Sequence, residues 1–390
     1  MIDENNEIII GERISSRNLK LYNGLSELMV DLEIGENEKK ADIFLSNIFI
    51  EDFTQFLAAK NIDLKGIANG RISVNVTEES PGFFGDLMVE NIEINDYEIG
   101  NINMSAVLDL PNKKVKINGN LYGDDNEVDI NGTYSFAKEI SKNDFDINFD
   151  IKNFAIYSIE EFIAQYIDNT AGTVSGKLSL VGPRNKPDLL GYLDINDVTT
   201  TVTYLQTTYN VKNERILFDR KGINLGQNLK VTDIDGNIAY GKGRVYHTNL
   251  KDFGLDIDVV SDKVMGINTT IVHNQDFYGT AYLKGSVAFK GLTNDITISV
   301  KGESEGKSEI SIPLTGEGAA KTYEFYTFVE KKKDGDKDFL INSEDKFKVN
   351  GLTVNLDLDM DNDCKVKIIL DQTTGDVLEV KGEGNIKINV

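Results

Sequence analysis

Residues 145–151 have the sequence FDINFDI, in which every second side chain is apolar. A period of two gives an extended chain one apolar face and one wet face, as in a half-buried antiparallel strand. The same alternation occurs in residues 72–76, 253–259 and 354–360. These runs predict a chain that is nearly all β.

Short connecting signals separate the alternating runs. Asn-Gly and Asp-Gly pairs favour tight hairpin turns, and such turns are predicted at four pairs. The pairs are Asn69-Gly70, Asn118-Gly119, Asn131-Gly132 and Asp235-Gly236. Two stretches, residues 53–60 and 159–167, instead show helical spacing and are predicted to be short amphipathic helices. Ser158 is the expected N-cap of the second helix.

An internal repeat surrounds the two predicted helices. Residues 42–91 align without gaps on residues 148–197, so that Gly70 matches Gly176. Repetition of this kind predicts an array in which each unit packs mainly on its neighbours. The expected units form one continuous elongated body, with leading strands at 1–41, repeat units at 42–147 and 148–253, and a C-terminal β segment at 254–390.

The charge balance excludes several classes of function. The chain of 390 residues carries 41 basic and 64 acidic side chains, a net charge of −23. Nucleic-acid binding is not expected, because phosphate recognition needs a basic patch. No apolar run reaches the roughly 20 residues of a membrane helix. The first residues are polar rather than signal-like, and both ends fall within a pattern, which predicts a fragment of a longer protein.

The motifs that resemble catalytic or metal sites lack the surroundings that such sites need. Gly302–Gly306 has the Gly-x-Ser-x-Gly spacing, but a strand is predicted after it and an exposed turn is expected. Asp357, Asp359, Asp361 and Asp363 lack the glycine and glutamate of an EF-hand loop, so a wet strand face running into a turn is expected. Residues 331–338 are predicted to be a solvated hairpin tip. The sequence predicts no enzyme, no catalytic residue, no metal and no cofactor.

Many strands with one apolar face and almost no helices leave three arrangements: a sandwich, a closed barrel or a long sheet curled on itself. The 34 glycines against 5 prolines favour the curled sheet. Such an all-β, elongated antiparallel sheet keeps an apolar inner groove open as a ligand site. The predicted groove residues are Ile72, Val74, Val76, Phe145, Ile147, Phe149, Ile151, Phe253, Leu255, Ile257, Val259, Val354, Leu356, Leu358 and Met360. This list assumes that the apolar face of each strand lines the groove. A register slip of one residue would exchange the two faces.

Three C-terminal stretches are similar to a known family. They are the runs from Asp233 to His247 (DIDGN…GxGxVYH), from Phe277 to Gly291 (FYGTA…GSV…G) and from Gly351 to Ile386 (GLTVNLDLD…DxxTGDVLxxxGxGNI). They resemble the TamB family of the wider AsmA-like group, most closely the form of Bacteroidetes-type bacteria. Residues 185–390 carry the specific match, residues 42–184 a looser one and residues 1–41 little of it.

The resemblance implies a taco-like β-sheet in the periplasm of a Gram-negative bacterium, with an apolar groove that holds phospholipid acyl chains. It implies an N-terminal helix in the inner membrane and a BamA-like barrel partner at the outer membrane. Neither the helix nor the barrel-proximal segment is expected within this sequence. The family is not enzymatic, and its two roles are phospholipid transport and support for outer-membrane biogenesis.

Three hypotheses about function therefore stand beside one another. The first is a bridge that conducts phospholipid between the two membranes through the groove. The second is an assembly chaperone that binds outer-membrane or secreted β-barrel proteins by strand augmentation at the sheet edge. The third is a surface adhesin or carbohydrate-binding β-array, which would have closed cores and ligands on its polar face.

Overall fold

A single large β-sheet accounts for nearly all of the chain. The computed structural model describes residues 6–36, 38–52, 63–77, 82–95, 97–109, 112–137, 139–164, 166–248, 251–273, 277–313, 352–371 and 375–389. These residues form a 24-stranded sheet that does not close on itself, with almost no helix. The predicted all-β, open sheet is confirmed. The first predicted helix, 53–60, and the hairpin tip at 331–338 lie outside the described residues.

The first ten strands form an uninterrupted antiparallel meander, each strand paired with the one before it. They are β1 (Glu7–Ile10), β2 (Ile14–Asn23), β3 (Ser26–Ile34), β4 (Glu38–Phe49), β5 (Leu64–Thr77), β6 (Gly82–Ile94), β7 (Tyr97–Asp109), β8 (Lys114–Tyr122), β9 (Glu127–Ser135) and β10 (Phe145–Ala155).

The meander continues after a short helical segment. The next strands are β11 (Ile167–Ala171), β12 (Thr173–Gly182), β13 (Asp188–Val202), β14 (Thr207–Asp219), β15 (Gly222–Asp233), β16 (Ile238–Thr248), β17 (Lys251–Thr269), β18 (Tyr278–Leu292) and β19 (Asp295–Ser304). β11 and β12 lie end to end along β13, and β12 also pairs with β10. From β13 to β19 each strand pairs antiparallel with its successor.

The C-terminal end of the sheet changes direction. Its strands are β20 (Glu309–Pro313), β21 (Leu352–Met360), β22 (Lys365–Asp371), β23 (Asp376–Lys381) and β24 (Gly384–Asn389). β21 runs parallel to β19, and β22 runs parallel to β20. β24 and β23 then pair antiparallel with β21 and β22. Among the described residues, β1 at one end of the sheet and β23 and β24 at the other have a partner on one side only.

The helical segment after β10 is shorter than predicted. A 3₁₀ turn at Ile156–Ile159 leads into the single helical turn α1 (Glu160–Ile163), and Ile167 already begins β11. The predicted N-cap is wrong, because Ser158 is buried within the 3₁₀ turn and its hydroxyl accepts a hydrogen bond from the Asn126 amide at 3.2 Å. The Ser158 hydroxyl is therefore engaged by a residue distant in sequence and does not cap the helix.

Three of the four predicted turn signals are wrong. Gly70, Gly119 and Gly132 lie inside β5, β8 and β9, and only Asp235-Gly236 forms a turn. At Gly132 an added Cβ would lie 2.1 Å from the carbonyl oxygen of Asp146 on the next strand, so the glycine is required by close backbone approach. In this sheet an Asn-Gly pair marks such an approach rather than a hairpin.

The two motifs that resemble catalytic or calcium sites have different outcomes. A strand follows the Gly-x-Ser-x-Gly stretch as predicted, but the prediction of an exposed turn is wrong, because Ser304 ends β19 and is buried. Asp357 and Asp359 lie in β21, and Asp361 and Asp363 lie in or beside the turn after it, as predicted. The repeat also recurs in register, since Gly70 lies opposite Leu87 and Gly176 lies opposite Leu193.

Candidate functional site

One register row of apolar residues and glycines crosses the sheet. Residues that lie directly opposite each other on neighbouring strands point to the same face, so the row belongs to one face. We call it the central row: Leu21, Leu28, Leu45, Gly70, Leu87, Met104, Gly119, Ile130, Phe149, Leu178, Gly191, Phe218, Ile223, Val245, Leu255, Gly291 and Ile296. Every strand from β2 to β19 except β11 contributes one residue. At the usual strand spacing its contour length is about 75 Å.

Two further rows run beside the central row on the same face. On one side lie Leu19, Val30, Ile43, Ile72, Gly85, Ala106, Ile117, Gly132, Ile147, Leu180 and Leu189. On the other side lie Ile48, Ala68, Val89, Ile102, Leu121, Val128, Ile151, Gly176, Leu193 and Ile216. None of these described positions is polar, so the face is an apolar band three rows wide over the repeats.

The band holds two cavities. The first, of about 660 Å³, lies over β4 to β10 and is lined by residues such as Phe83, Val115 and Tyr134. The second, of about 330 Å³, lies over β13 to β21, and its walls include Phe289, Val300 and Leu356. The walls of both are almost wholly apolar. Both volumes are in the range of a site for one small apolar group or chain segment.

Seven predicted groove residues line the cavities. Ile72, Phe145 and Ile147 line the first, and Val259, Val354, Leu356 and Leu358 line the second. Phe149 and Leu255 belong to the central row. Ile151 packs against the buried cluster around Leu121 and Val128.

The other five predicted residues do not line either cavity. Val74 lies opposite Phe83 of the first cavity, and Ile257 lies opposite Phe289 of the second. Val76 and Phe253 are exposed near strand ends, and Met360 ends β21. The second cavity also contains Tyr204, Tyr209, Phe277 and Tyr282, which the sequence analysis missed. Aromatic residues next to turns were the only signal for them.

Glycine shapes the band where strands approach closely. Gly191 of the central row has a φ of 132°, in the region that side chains rarely adopt, and an added Cβ would lie 2.0 Å from the carbonyl oxygen of Lys177. Glycine at this point therefore lets β13 approach β12 closely.

Among the described turns, those from β4 to β18 on one side of the sheet carry carboxylates but no lysine or arginine, and those from β7 to β15 on the other side are mainly basic. We call one side the acidic rim, formed by the turn residues 50–52, 63, 95, 123–126, 156–164, 203–206, 234–237 and 270–273. Among these described residues none is lysine or arginine, whereas Glu51, Asp52, Asp63, Asp124, Asp125, Glu160 and Asp235 are acidic. The basic rim is formed on the opposite side by residues 112–113, 136–137, 139–144, 183–187 and 220–221. It carries Lys113, Lys142, Arg184, Lys186, Arg220 and Lys221 against Glu139 and Asp144.

Asn126 fastens three elements at the acidic rim. Its side chain donates to the carbonyl oxygen of Ile99 at 2.9 Å and accepts from the backbone N–H of Ala155 at 2.9 Å, besides its contact with Ser158. The residue is 2 % exposed. Buried polar groups are costly unless they are paired, so this set of bonds fixes the ends of β7 and β10 and the 3₁₀ turn together.

Asp233 makes a second fastening at the same rim. Its carboxylate accepts from the backbone N–H groups of Met265 at 2.8 Å and Asn237 at 2.8 Å. Burial would raise the pKa of this carboxyl, but hydrogen bonds from the Asn237 side chain and from the backbone outweigh burial and lower the pKa. Nearby, Tyr209 donates to the carbonyl oxygen of Met265 at 2.7 Å. This bond holds Tyr209, a lining residue of the second cavity, against β17.

A third fastening joins the turn between β19 and β20 to the turn between β21 and β22. The Ser304 hydroxyl accepts from the backbone N–H of Asp361 at 2.9 Å, and the backbone carbonyl oxygen of Ser308 accepts from the N–H of Lys365 at 2.8 Å. Cys364 is fully buried beside them, and burial raises the pKa of its thiol. The thiol is therefore an inert packing group here.

The outer face of the sheet is wet and charged. Lys177 pairs with Asp150 at 2.7 Å, and Arg215 makes a two-pronged pair with Asp194 at 2.6 and 2.8 Å. No group of His, Cys, Asp or Glu among the described residues gathers to hold a metal ion. What the described geometry offers is an apolar surface for hydrocarbon, where each buried methylene gains about 0.8 kcal/mol.

The comparison with protein families agrees with the residues that suggested a resemblance. The family model of the TamB C-terminal domain matches residues 115–228 and 226–390, more than half of the chain. This family match begins at residue 115, whereas the sequence predicts a specific resemblance only from residue 185 onward. No curated protein and no solved structure matches the chain. No helix in the described ranges is long and apolar enough to span a bilayer. The chain belongs to the TamB family of cell-envelope proteins.

Proposed function

We propose that the chain conducts phospholipid by holding acyl chains on the central row and letting them move from strand to strand. The observation that carries this proposal is the continuity of the row from β2 to β19. Successive positions about 4.8 Å apart leave no polar step for hydrocarbon to cross. The same apolar surface along the path means that each step exchanges one apolar contact for another, so no single position traps the chain.

Membership of the family supports a setting for this proposed activity. We place the chain in the periplasm of a Gram-negative bacterium as one segment of an envelope-spanning protein, acting without enzymatic chemistry. An inner-membrane helix and a BamA-like barrel protein would be its partners at the two membranes, through segments other than those described. The two open cavities lend no support to the alternative of an adhesin with closed cores.

Native mass spectrometry of the purified chain tests the proposal. The unaltered chain, incubated with phospholipid vesicles, is expected to carry phospholipid. Leu356→Asp places a charge in the second cavity opposite Val300, and we expect it to abolish binding there, because burying a carboxylate against hydrocarbon is costly. Asn355→Asp is the matched control, since the neighbouring side chain faces the other side of the same strand.

Two results would contradict the proposal. One is a chain that remains free of lipid after incubation with vesicles. The other is a folded Leu356→Asp variant that binds as much lipid as Asn355→Asp. Circular dichroism and the urea midpoint establish that both variants fold.

The open edges favour a second candidate function, assembly of β-barrel proteins by strand augmentation. In β23, Val377, Leu378 and Val380 are all exposed, and the strand has one partner among the described residues. An unpaired edge can add a strand from another chain. This function predicts saturable binding of an unfolded barrel-strand peptide that Leu356→Asp leaves unchanged, whereas competition by that peptide with lipid for the groove would contradict an edge site.

A further inference from the structure

Two turns of the basic rim, at residues 112–113 and 136–144, adjoin the end of the first cavity. Val115 follows Lys113 by two residues, and Phe145 follows the loop that holds Lys142; both apolar residues line the cavity. An acyl chain seated in this cavity would therefore bring the polar end of its lipid to the basic turns. On the other side of the sheet the turns are acidic and would repel a phosphate.

The turns of the basic rim form one connected surface. The backbone N–H of Phe136 donates to the carbonyl oxygen of Lys113 at 3.1 Å. Arg184 reaches across from the next turn and donates to the carbonyl oxygen of Ala137 at 2.9 Å. Arg184 is also held by the buried carboxylate of Asp144, which accepts from its backbone N–H at 3.2 Å. Three turns are thus fixed side by side.

Three lysines on this surface are available to a ligand. Lys113, Lys142 and Lys186 are exposed and make no ion pair with any described residue. By contrast, lysines of the outer face such as Lys152 and Lys177 pair with carboxylates on neighbouring strands. In a chain of net charge −23, an unpaired group of cations beside an apolar cavity is a local reversal of charge.

We propose that the basic rim is a headgroup track that selects anionic phospholipids, their acyl chains resting in the first cavity and their phosphates against Lys113, Lys142 and Lys186. This inference rests on the proposed function and adds which lipids are preferred and which rim their headgroups follow. Exposed ammonium groups favour a phosphate of any phospholipid, and a net negative headgroup more than a zwitterionic one. The acidic rim enforces the same orientation by repulsion.

The test compares two lipids with identical acyl chains, phosphatidylglycerol and phosphatidylcholine, in competition for the full chain. The unaltered chain is expected to favour phosphatidylglycerol. The triple variant Lys113→Glu, Lys142→Glu, Lys186→Glu is expected to lower that preference about tenfold, because three exposed charge contacts become repulsive, and to keep its binding of phosphatidylcholine.

A second triple variant supplies the matched control. Lys152→Glu, Lys177→Glu, Lys290→Glu changes the net charge equally on the outer face, and the preference for phosphatidylglycerol is expected to survive. Equal loss in both triple variants would mean general charge repulsion and would overturn the headgroup track. Salt gives an independent measurement on the unaltered chain, whose preference should fall between 0.05 and 0.5 M salt as screening of exposed charges increases. A preference that salt does not change would also overturn it.

The outcomes separate this inference from the proposed function. If the unaltered chain binds neither lipid, the proposed function itself fails. If both lipids bind without preference, and Leu356→Asp abolishes binding at the second cavity, then the groove stands and the headgroup track alone is wrong.

Discussion

The two rims of this sheet are both fastened by buried polar groups, but they present opposite charge. At the acidic rim, Asn126 and Asp233 are 2 % and 5 % exposed and join elements that are distant in sequence. At the basic rim, the buried carboxylate of Asp144 fastens neighbouring turns, while the three lysines proposed to bind headgroups are exposed and make no ion pair with a described residue. The difference shows how a single sheet can be stable along both rims and still offer cations to a ligand along one of them.

The largest effect on this comparison is expected from Asn126→Ala. The substitution leaves the carbonyl group of Ile99 and the N–H of Ala155 buried without their partner, and we expect a loss of about 3 kcal/mol in the free energy of unfolding. Urea denaturation measures it. Asn112→Ala at the basic rim is the control, and it should change stability by less than about 0.5 kcal/mol because Asn112 is exposed. If Asn126→Ala cost no more stability than Asn112→Ala, the buried hydrogen bonds of Asn126 would not be what fastens the acidic rim.

A smaller effect is expected between the rims, from Gly191→Ala in the central row. The new methyl group would meet the carbonyl oxygen of Lys177 and require an unfavourable φ, so we expect a loss of about 2 kcal/mol. Gly82→Ala is the control, because nothing lies within 4 Å of its added Cβ. If Gly191→Ala were as stable as Gly82→Ala, close strand approach would not be what requires glycine in the band.

The smallest effect is expected from Asp233→Asn, and its size depends on pH. Because its folded-state pKa is lowered, its ionised form stabilises the fold above the ordinary carboxyl pKa of about 4, and this contribution is lost as the pH falls through the lowered value. Asp233→Asn should therefore be less stable than the unaltered chain at pH 7, and the difference should shrink below pH 4. Urea midpoints from pH 7 to pH 2 measure this, with Asp252→Asn, near the basic rim, as the control. A difference that stays constant with pH would contradict the assignment.

The strands themselves could be predicted from the sequence because their signal is local. The alternating runs at 145–151 and 354–360 fall within β10 and β21, and the apolar residues that they supplied include Phe145, Val354 and Leu356 of the two cavities. Alternation depends only on neighbours in the chain. It decides which residues share a face without any knowledge of the partner strand.

The central row and the rims could not be predicted, because they depend on register. Phe149 and Gly191 become neighbours of Leu178 only through two separate strand pairings. Asn126 stands in an Asp-Asp-Asn turn that has the composition of an exposed loop, yet it is buried by elements distant in sequence. The local pattern assigns Ser158 to a helix cap wrongly for the same reason. A local pattern cannot show which polar residue a distant contact will bury.

The order of the strands also bears on how the chain acquires its shape. From β1 to β10 each new strand pairs with the strand just completed, so the sheet can grow vectorially, one strand at a time, as the polypeptide emerges. The pairing of β19 with β21 breaks this rule, since a parallel neighbour needs a crossover and cannot form until residues 314–351 have been made. Assembly of the last strands is thus a late, non-local event, and until then the edge of β19 remains free to pair with another chain.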